Sequence, residues 1–394
     1  MRGQRLVAAL MTALLAGCGP AVATSDPIPG SVGPAPERPY AVGMRQFTLD
    51  PDGRRPLPVT VWYPAQPSPP PPHPAGPGSA GSGSTGPGSA GSGSADPLSA
   101  DAPSAGPPSA GPLPDRPGSA GADHAPALSS PRGPRVSALP SVVATPSGSG
   151  RAAPASPGPR VRPGAPFAAG RFPVVLYSHG LRSLPALHAA LTSRWAAAGF
   201  VVVAPTYPRT NQRARPFTRE DVRNQPADAW RLIRHLVRLG ARPGDPLGAH
   251  LAVDRFAAAG HSAGGHTTLG MFASGQPYPL RAGLVIAGGR MVAGLSRPLA
   301  PMLFVHGSAD RIVPESIGRA AYARCLGPAA FLSLTGQGHG EYLTPGRPGF
   351  PQVLATTTDF LRWTLYADRA ALRRLPADAT APDQTTFTTR SLPT

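Results

Sequence analysis

The chain has 394 residues, of which 55 are Pro and 47 Gly, and a formal net charge of +17. Such an excess would suit nucleic acid or an anionic surface, but the chain contains no Lys, and its arginines are scattered rather than interleaved with aromatics. Composition therefore argues against nucleic-acid binding and for biased residue usage, and two cysteines, Cys18 and Cys325, exclude a disulfide framework.

The first residues read as an address. Arg2 and Arg5 precede a short apolar run, Leu6 to Leu15, too short to span a bilayer as a mature helix. Leu15-Ala16-Gly17-Cys18 resembles the lipobox of bacterial lipoproteins. That resemblance implies a signal peptide over 1–17, lipidation of Cys18, export, and anchoring to a cell-envelope membrane facing outside the cytoplasm. The alternative is an ordinary signal peptide with an unrelated cysteine. Residues 18–38, rich in Pro, Ala and Gly, read as a flexible tether. With Cys18 lipidated, Cys325 is left as a buried or half-buried thiol on a helix.

Met44–Leu49 and Pro58–Tyr63 are expected strands, joined through Asp50-Pro51-Asp52-Gly53 into a hairpin. Residues 66–166 are low in complexity, with a ten-residue repeat from Gly76 and again from Gly86. They hold few large apolar side chains to offset ordering entropy, so they read as a disordered Pro/Gly/Ser-rich insertion. A lone hairpin has no core. It must pack with the chain beyond the insertion, which makes the domain discontinuous: 39–65 and 167–370.

The second part of that domain alternates strand and helix. Expected strands are Phe172–Ser178, Phe200–Ala204, Arg255–Gly260, Ala282–Ala287, Pro301–His306 and Ala330–Leu334; expected helices are Ala186–Ala198, Ala227–Leu239, Ala263–Phe272, Pro314–Cys325 and Gln352–Tyr366. The alternation predicts an α/β fold: a doubly wound, mostly parallel sheet with helices on both faces and an N-terminal antiparallel hairpin. Residues 371–394 read as a frayed C-terminal tail.

Function is concentrated at strand ends. Gly260-His261-Ser262-Ala263-Gly264 has the G-x-S-x-G pattern of a nucleophile elbow, a sharp strand-to-helix turn that needs small residues for close backbone approach. Asp310 follows the Pro301–His306 strand, and His339 lies in the glycine-rich loop after the last strand. The order Ser, Asp, His fits a nucleophile, an orienting acid and a general base. The N–H of Ala263 and that of Leu181, after the His179-Gly180 turn, are candidate oxyanion donors. His179, His261 and His266 fall near this site without metal-ligand spacing, and no nucleotide motif occurs. No metal and no cofactor are expected. His261 reads as a packed or hydrogen-bonded neighbour of the elbow.

These residues resemble the α/β-hydrolase superfamily and, within it, the bacterial lipoprotein esterases near platelet-activating-factor acetylhydrolases and dienelactone-hydrolase-like enzymes. The similarity rests on Pro58 to Pro64, Val174 to Leu181, Gln225 to Asp228 and Gly260 to Gly265. Some acetylhydrolase relatives carry the acid one strand earlier. Here that place holds Ala287-Gly288-Gly289, which leaves Asp310 and makes the site more similar to cutinase- and polyesterase-like relatives. Dienelactone hydrolases proper use Cys where this chain has Ser262. The resemblance implies a serine carboxylic-ester hydrolase acting through an acyl-enzyme on short-chain, phospholipid-like or polyester-like esters. Its partners would be a small-molecule or lipid ester and, through Cys18, the membrane; oligomeric state is left open. The alternative is a non-catalytic surface binding protein on the same scaffold. The arginine-rich loop Thr206 to Arg223 either receives an anionic head group or is a solvated loop. That loop and the one from Gly288 to Pro298 are expected to shape the pocket.

Overall fold

Runs of β-branched and aromatic residues with little polarity on either side form strands buried on both faces. Phe172–Ser178 and Val201–Pro205 are buried along their whole length. In the computed structural model, residues 32–67, 157–273, 275–289 and 300–393 are described, and all belong to one compact unit. The signal peptide, Cys18 and most of the tether lie outside the described residues. So do 68–156 and 290–299.

The strands are β1 Ala41–Leu49, β2 Leu57–Ala65, β3 Val161–Pro163, β4 Phe172–Ser178, β5 Val201–Pro205, β6 Leu251–His261, β7 Leu280–Ile286, β8 Met302–Gly307, β9 Ala329–Leu334 and β10 Thr385–Arg390. The α-helices are α1 Ala189–Ala197, α2 Gln225–Gly240, α3 Ala263–Ala273, α4 Glu315–Arg324, α5 Phe350–Tyr366 and α6 Arg369–Ala379. One ten-stranded sheet runs β10-β9-β8-β7-β6-β4-β5-β2-β1-β3. From β5 to β9 all neighbours are parallel. The β1–β2 hairpin is antiparallel and joins β5 through β2, also antiparallel. This is the doubly wound, mostly parallel sheet expected from the alternation of elements, and the α/β-hydrolase fold that the resemblance implies. Apolar side chains on the two faces form separate cores. One gathers Tyr63, Leu176, Trp230 and Phe304, the other Trp62, Tyr177, Trp195 and Phe360.

Three expectations need correction. The segment after Ala370 is not a frayed tail. Asp368 caps α6 by accepting from the Ala371 N–H at 3.0 Å. Ala371, Leu375 and Ala379, spaced four apart, are buried. β10 pairs antiparallel with β9 from Thr385↔Leu334 to Arg390↔Ala329. A small-residue face and a threonine-rich edge strand carry little hydrophobic signal, so neighbours rather than composition order this end. The folded chain also resumes before residue 167. β3 pairs with β1, and Tyr63 donates to the Ala165 carbonyl at 2.7 Å while stacking on Phe167. Finally, Cys325 caps α4 in an extended conformation rather than lying within it. Burial pushes its thiol up to about 11, so it is no nucleophile at neutral pH.

The hairpin also braces the segment between β5 and α2. Arg55, in the β1–β2 turn, donates through Nε to Asp228 at 2.8 Å, and through its two terminal nitrogens to Asp221 at 3.0 and 2.5 Å. Both carboxylates are buried. Burial alone would depress the guanidinium, but the Asp228 and Asp221 carboxylates outweigh it and raise its pKa. The clamp fixes a segment whose Phe217, Arg219 and Val222 stand beside Ser262 in one cleft.

Candidate active site

The elbow sits at the carboxyl end of β6, in the middle of the sheet. Ser262 adopts φ 58°, a left-handed conformation that is strained for a residue with a side chain. Its N–H donates to Ile286 O at 2.8 Å, and its carbonyl accepts from the Gly265 and His266 N–H groups at 2.9 and 3.2 Å as α3 begins. The flanking glycines are obligatory. A Cβ on Gly260 would lie 2.2 Å from Gly264 O, and one on Gly264 would lie 1.9 Å from Ser178 O.

Three elements bring the polar residues together. Ser262 Oγ is 2.8 Å from His339 Nε2, and His339 Nδ1 is 2.7 Å from Asp310 Oδ2. With Asp310 ionised, Nδ1–H donates to it, and the bare Nε2 accepts from the serine hydroxyl. Asp310 Oδ1 accepts from the Ile312 and Val313 N–H groups at 2.8 and 2.9 Å. Burial would raise its pKa, but the bonds from His339, Val313 and Ile312 dominate and hold it below the usual carboxylate range. His306, at the end of β8, carries no sequence signal that would place it in this site. Its Nε2–H donates to Val313 O at 2.8 Å and lies 3.4 Å from Asp310 Oδ2. It braces the acid from behind.

The Leu181 and Ala263 N–H groups donate to no acceptor among the described residues. The turn bearing Leu181 is held by His179. The Tyr207 N–H donates to its Nε2 at 3.1 Å, so Nδ1 carries the proton and donates to Gly180 O at 2.7 Å. Burial lowers the His179 pKa to about 4, which keeps that tautomer neutral. Arg182, next in the turn, has φ 51° and donates its N–H to Thr210 O at 2.8 Å. Its guanidinium lies 3.9 Å from the centroid of the Phe217 ring.

These groups open into a cleft of about 590 Å³, walled by Leu181, Phe217, Val222, Ile312 and Val313, with Arg182 and Arg219 on its wall as well. Gly288 and Gly289 contribute from the loop after β7, whose remainder to residue 299 lies outside the described residues. A larger cavity, about 750 Å³, is lined by Pro36, Tyr40, Arg194, Leu354 and Asp378, and holds none of Ser262, Asp310 or His339. Size does not locate the chemistry. Among the described residues no cluster of His, Cys, Asp and Glu could hold a metal ion, and no helix is long and apolar enough to cross a membrane.

Sequence reasoning missed the parts played by His179 and His306, because each depends on a partner brought in by the fold. Arg182 carried no signal, whereas Phe217 lies in the Thr206 to Arg223 loop expected to shape the pocket.

The Chlorophyllase family model matches residues 146–281, roughly a third of the chain, including β4, β5, the elbow and only the first two residues of β7. No curated protein matches the chain. The family match and the ten-stranded sheet together support a hydrolase of the α/β-hydrolase type, acting on esters.

Proposed function

We propose that the protein is a serine carboxylic-ester hydrolase working through an acyl-enzyme. The observation that carries this reading is the unbroken chain from Ser262 Oγ through His339 to Asp310, at 2.8 and 2.7 Å, beside two N–H groups without acceptors. Ser262 attacks the ester carbonyl while His339 Nε2 takes its proton. Leu181 and Ala263 N–H groups receive the oxyanion. Asp310 stabilises the imidazolium, which returns the proton to the leaving alcohol. Water, deprotonated by the same nitrogen, then cleaves the acyl-enzyme.

The apolar walls suit a short or medium acyl chain, and Arg182 and Arg219 give the cleft a cationic side. Those features support soluble and lipid-like esters alike. The grouping with acetylhydrolase- and dienelactone-hydrolase-like esterases is retained as part of the proposal, on the residues that suggested it. So is anchoring through Cys18, which mass spectrometry of the mature N-terminus would test. An unmodified Cys18 would remove the lipoprotein reading.

The decisive experiment compares p-nitrophenyl butyrate hydrolysis by the wild type and Ser262→Ala. We expect kcat to fall by about 10⁴-fold or more. Fluorophosphonate labelling of the wild type, abolished in the variant, is the companion result. Equal rates and no labelling would leave a binding protein on a hydrolase scaffold. His179, His188 and His261 are held neutral near pH 7, with values of about 4, 3 and 4 set mainly by burial.

A further inference from the structure

The loop that carries His339 has unusual backbone freedom. Gly336, Gly338 and Gly340 alternate with Gln337 and His339. Yet the imidazole must hold Asp310 and Ser262 at once. On either side the loop is anchored: the Ala309 N–H donates to Gln337 O at 2.9 Å, and the Leu343 N–H to Gly340 O at 3.0 Å. Between these anchors the His339 carbonyl accepts a hydrogen bond of 2.5 Å from Nε2 of His261. His261 is the residue immediately before the nucleophile. A Cβ on Gly340 would lie 2.9 Å from that nitrogen, so the loop backbone rests on the edge of the ring. The two imidazole centroids are 4.9 Å apart.

A second histidine lies behind the first. The His188 and His261 centroids are 5.3 Å apart. His188 Nε2 is 3.1 Å from the hydroxyl of Ser183, two residues beyond Leu181. Donation to the His339 carbonyl places the His261 proton on Nε2, so its Nδ1 is a bare acceptor. That Nδ1 is buried without a protein partner, and so is Nδ1 of His188. If Ser183 donates to His188 Nε2, the ring proton of His188 sits on Nδ1. Burial holds both rings neutral at working pH, so neither adds a repelling charge beside the imidazolium that forms on His339.

We propose that His261 is a positioning residue for His339, clamping its carbonyl through Nε2–H. This rests on the Ser262–His339–Asp310 reading and adds to it a link between the residue before the nucleophile and the loop that carries the base. His261 does not line the cleft. It acts through the backbone of His339, not on substrate.

The test compares His261→Gln, which keeps an N–H donor near the position of Nε2, with His261→Leu, which keeps bulk and loses the donor. Three readouts are taken on the full chain: kcat and KM for p-nitrophenyl butyrate, the downfield proton resonance of His339 Nδ1–H on Asp310, and thermal unfolding. A misplaced base predicts that Leu lowers kcat about 10- to 100-fold and weakens the downfield resonance, with KM held within about twofold. Gln should restore most of both. Equal impairment by Gln and Leu would mean that packing alone matters and would overturn the proposal. Wild-type kcat and resonance in His261→Leu would overturn it equally. Should that variant fail to fold, His261→Met, which also keeps bulk and loses the donor, takes its place. A lowered kcat with a weakened resonance supports the proposal, and wild-type values of both overturn it. The resonance does not depend on turnover. A wild type that hydrolyses no ester but loses the resonance in His261→Leu would refute the reaction and leave the positioning role standing.

Discussion

Asp310 is buried and Asp378 half-buried, and they are shifted in opposite directions. Asp310 accepts from His339 and from the Val313 and Ile312 N–H groups and is held below the usual carboxylate range. Asp378 is pushed up to about 7, first by burial and then by Asp359. Its Oδ2 is buried with no partner, while the neighbouring Asp359 takes both bonds from Arg374, at 2.7 and 3.0 Å. Burial opposes ionisation at both places. The supply of donors decides the outcome. One carboxylate is kept charged to serve a histidine, and the other is pushed toward its protonated form by burial and by a rival carboxylate.

The sharpest way to break this contrast is Asp310→Asn. The amide cannot hold His339 in its working tautomer, and kcat should fall by about 10⁴-fold. An activity within tenfold of the wild type would remove Asp310 from its role. Acid denaturation comes next. The folded-state pKa of Asp310 is depressed, so its contribution to stability is present above the unfolded value and lost as pH falls through the folded one. His179, His188 and His261 act in the same direction. Buried neutral, they cost stability as pH falls from the unfolded histidine range of about 6.5 toward about 4, 3 and 4. Unfolding temperature should therefore drop steadily below pH 6, and a flat response from pH 7 to 4 would contradict their burial.

The smallest effect belongs to Asp378. Its folded-state pKa is raised, so its favourable contribution is complete below the unfolded carboxylate value and is lost as pH rises through about 7. Asn mimics the protonated form at every pH. Asp378→Asn should match the wild type at pH 4.5 and exceed it at pH 8. The side chain is partly solvated, so the gain is about 2–4 °C. A variant less stable than the wild type at pH 8 would mean that the carboxylate is served by donors after all.

The parts of the site that were legible in the sequence are those fixed by local chemistry. Gly260 and Gly264 announce the elbow because no larger residue fits there. Asp310 and His339 announce themselves by standing at strand ends in the right order. The positioning histidines were illegible for a physical reason. His261 and His339 are 78 positions apart, and nothing local to either reports that one holds the other's carbonyl. The same limit explains the fold's far edge. α6 and β10 are rich in Ala, Arg and Thr and take their order from α5 and β9, and β3 is only three residues long.

The two flanks of the long proline- and glycine-rich stretch meet at the edge of the sheet. The Gln66 N–H donates to Pro166 O at 3.0 Å, and Ala65 bridges Phe167. The chain therefore leaves and re-enters the fold through a single doorway, far along the sheet from Ser262. A passage of that kind is topologically removable. The hydrolase is in this sense a modular host. Its β2–β3 junction is a port where sequence can be lengthened, shortened or exchanged without rewiring the machinery at the other end of the strands.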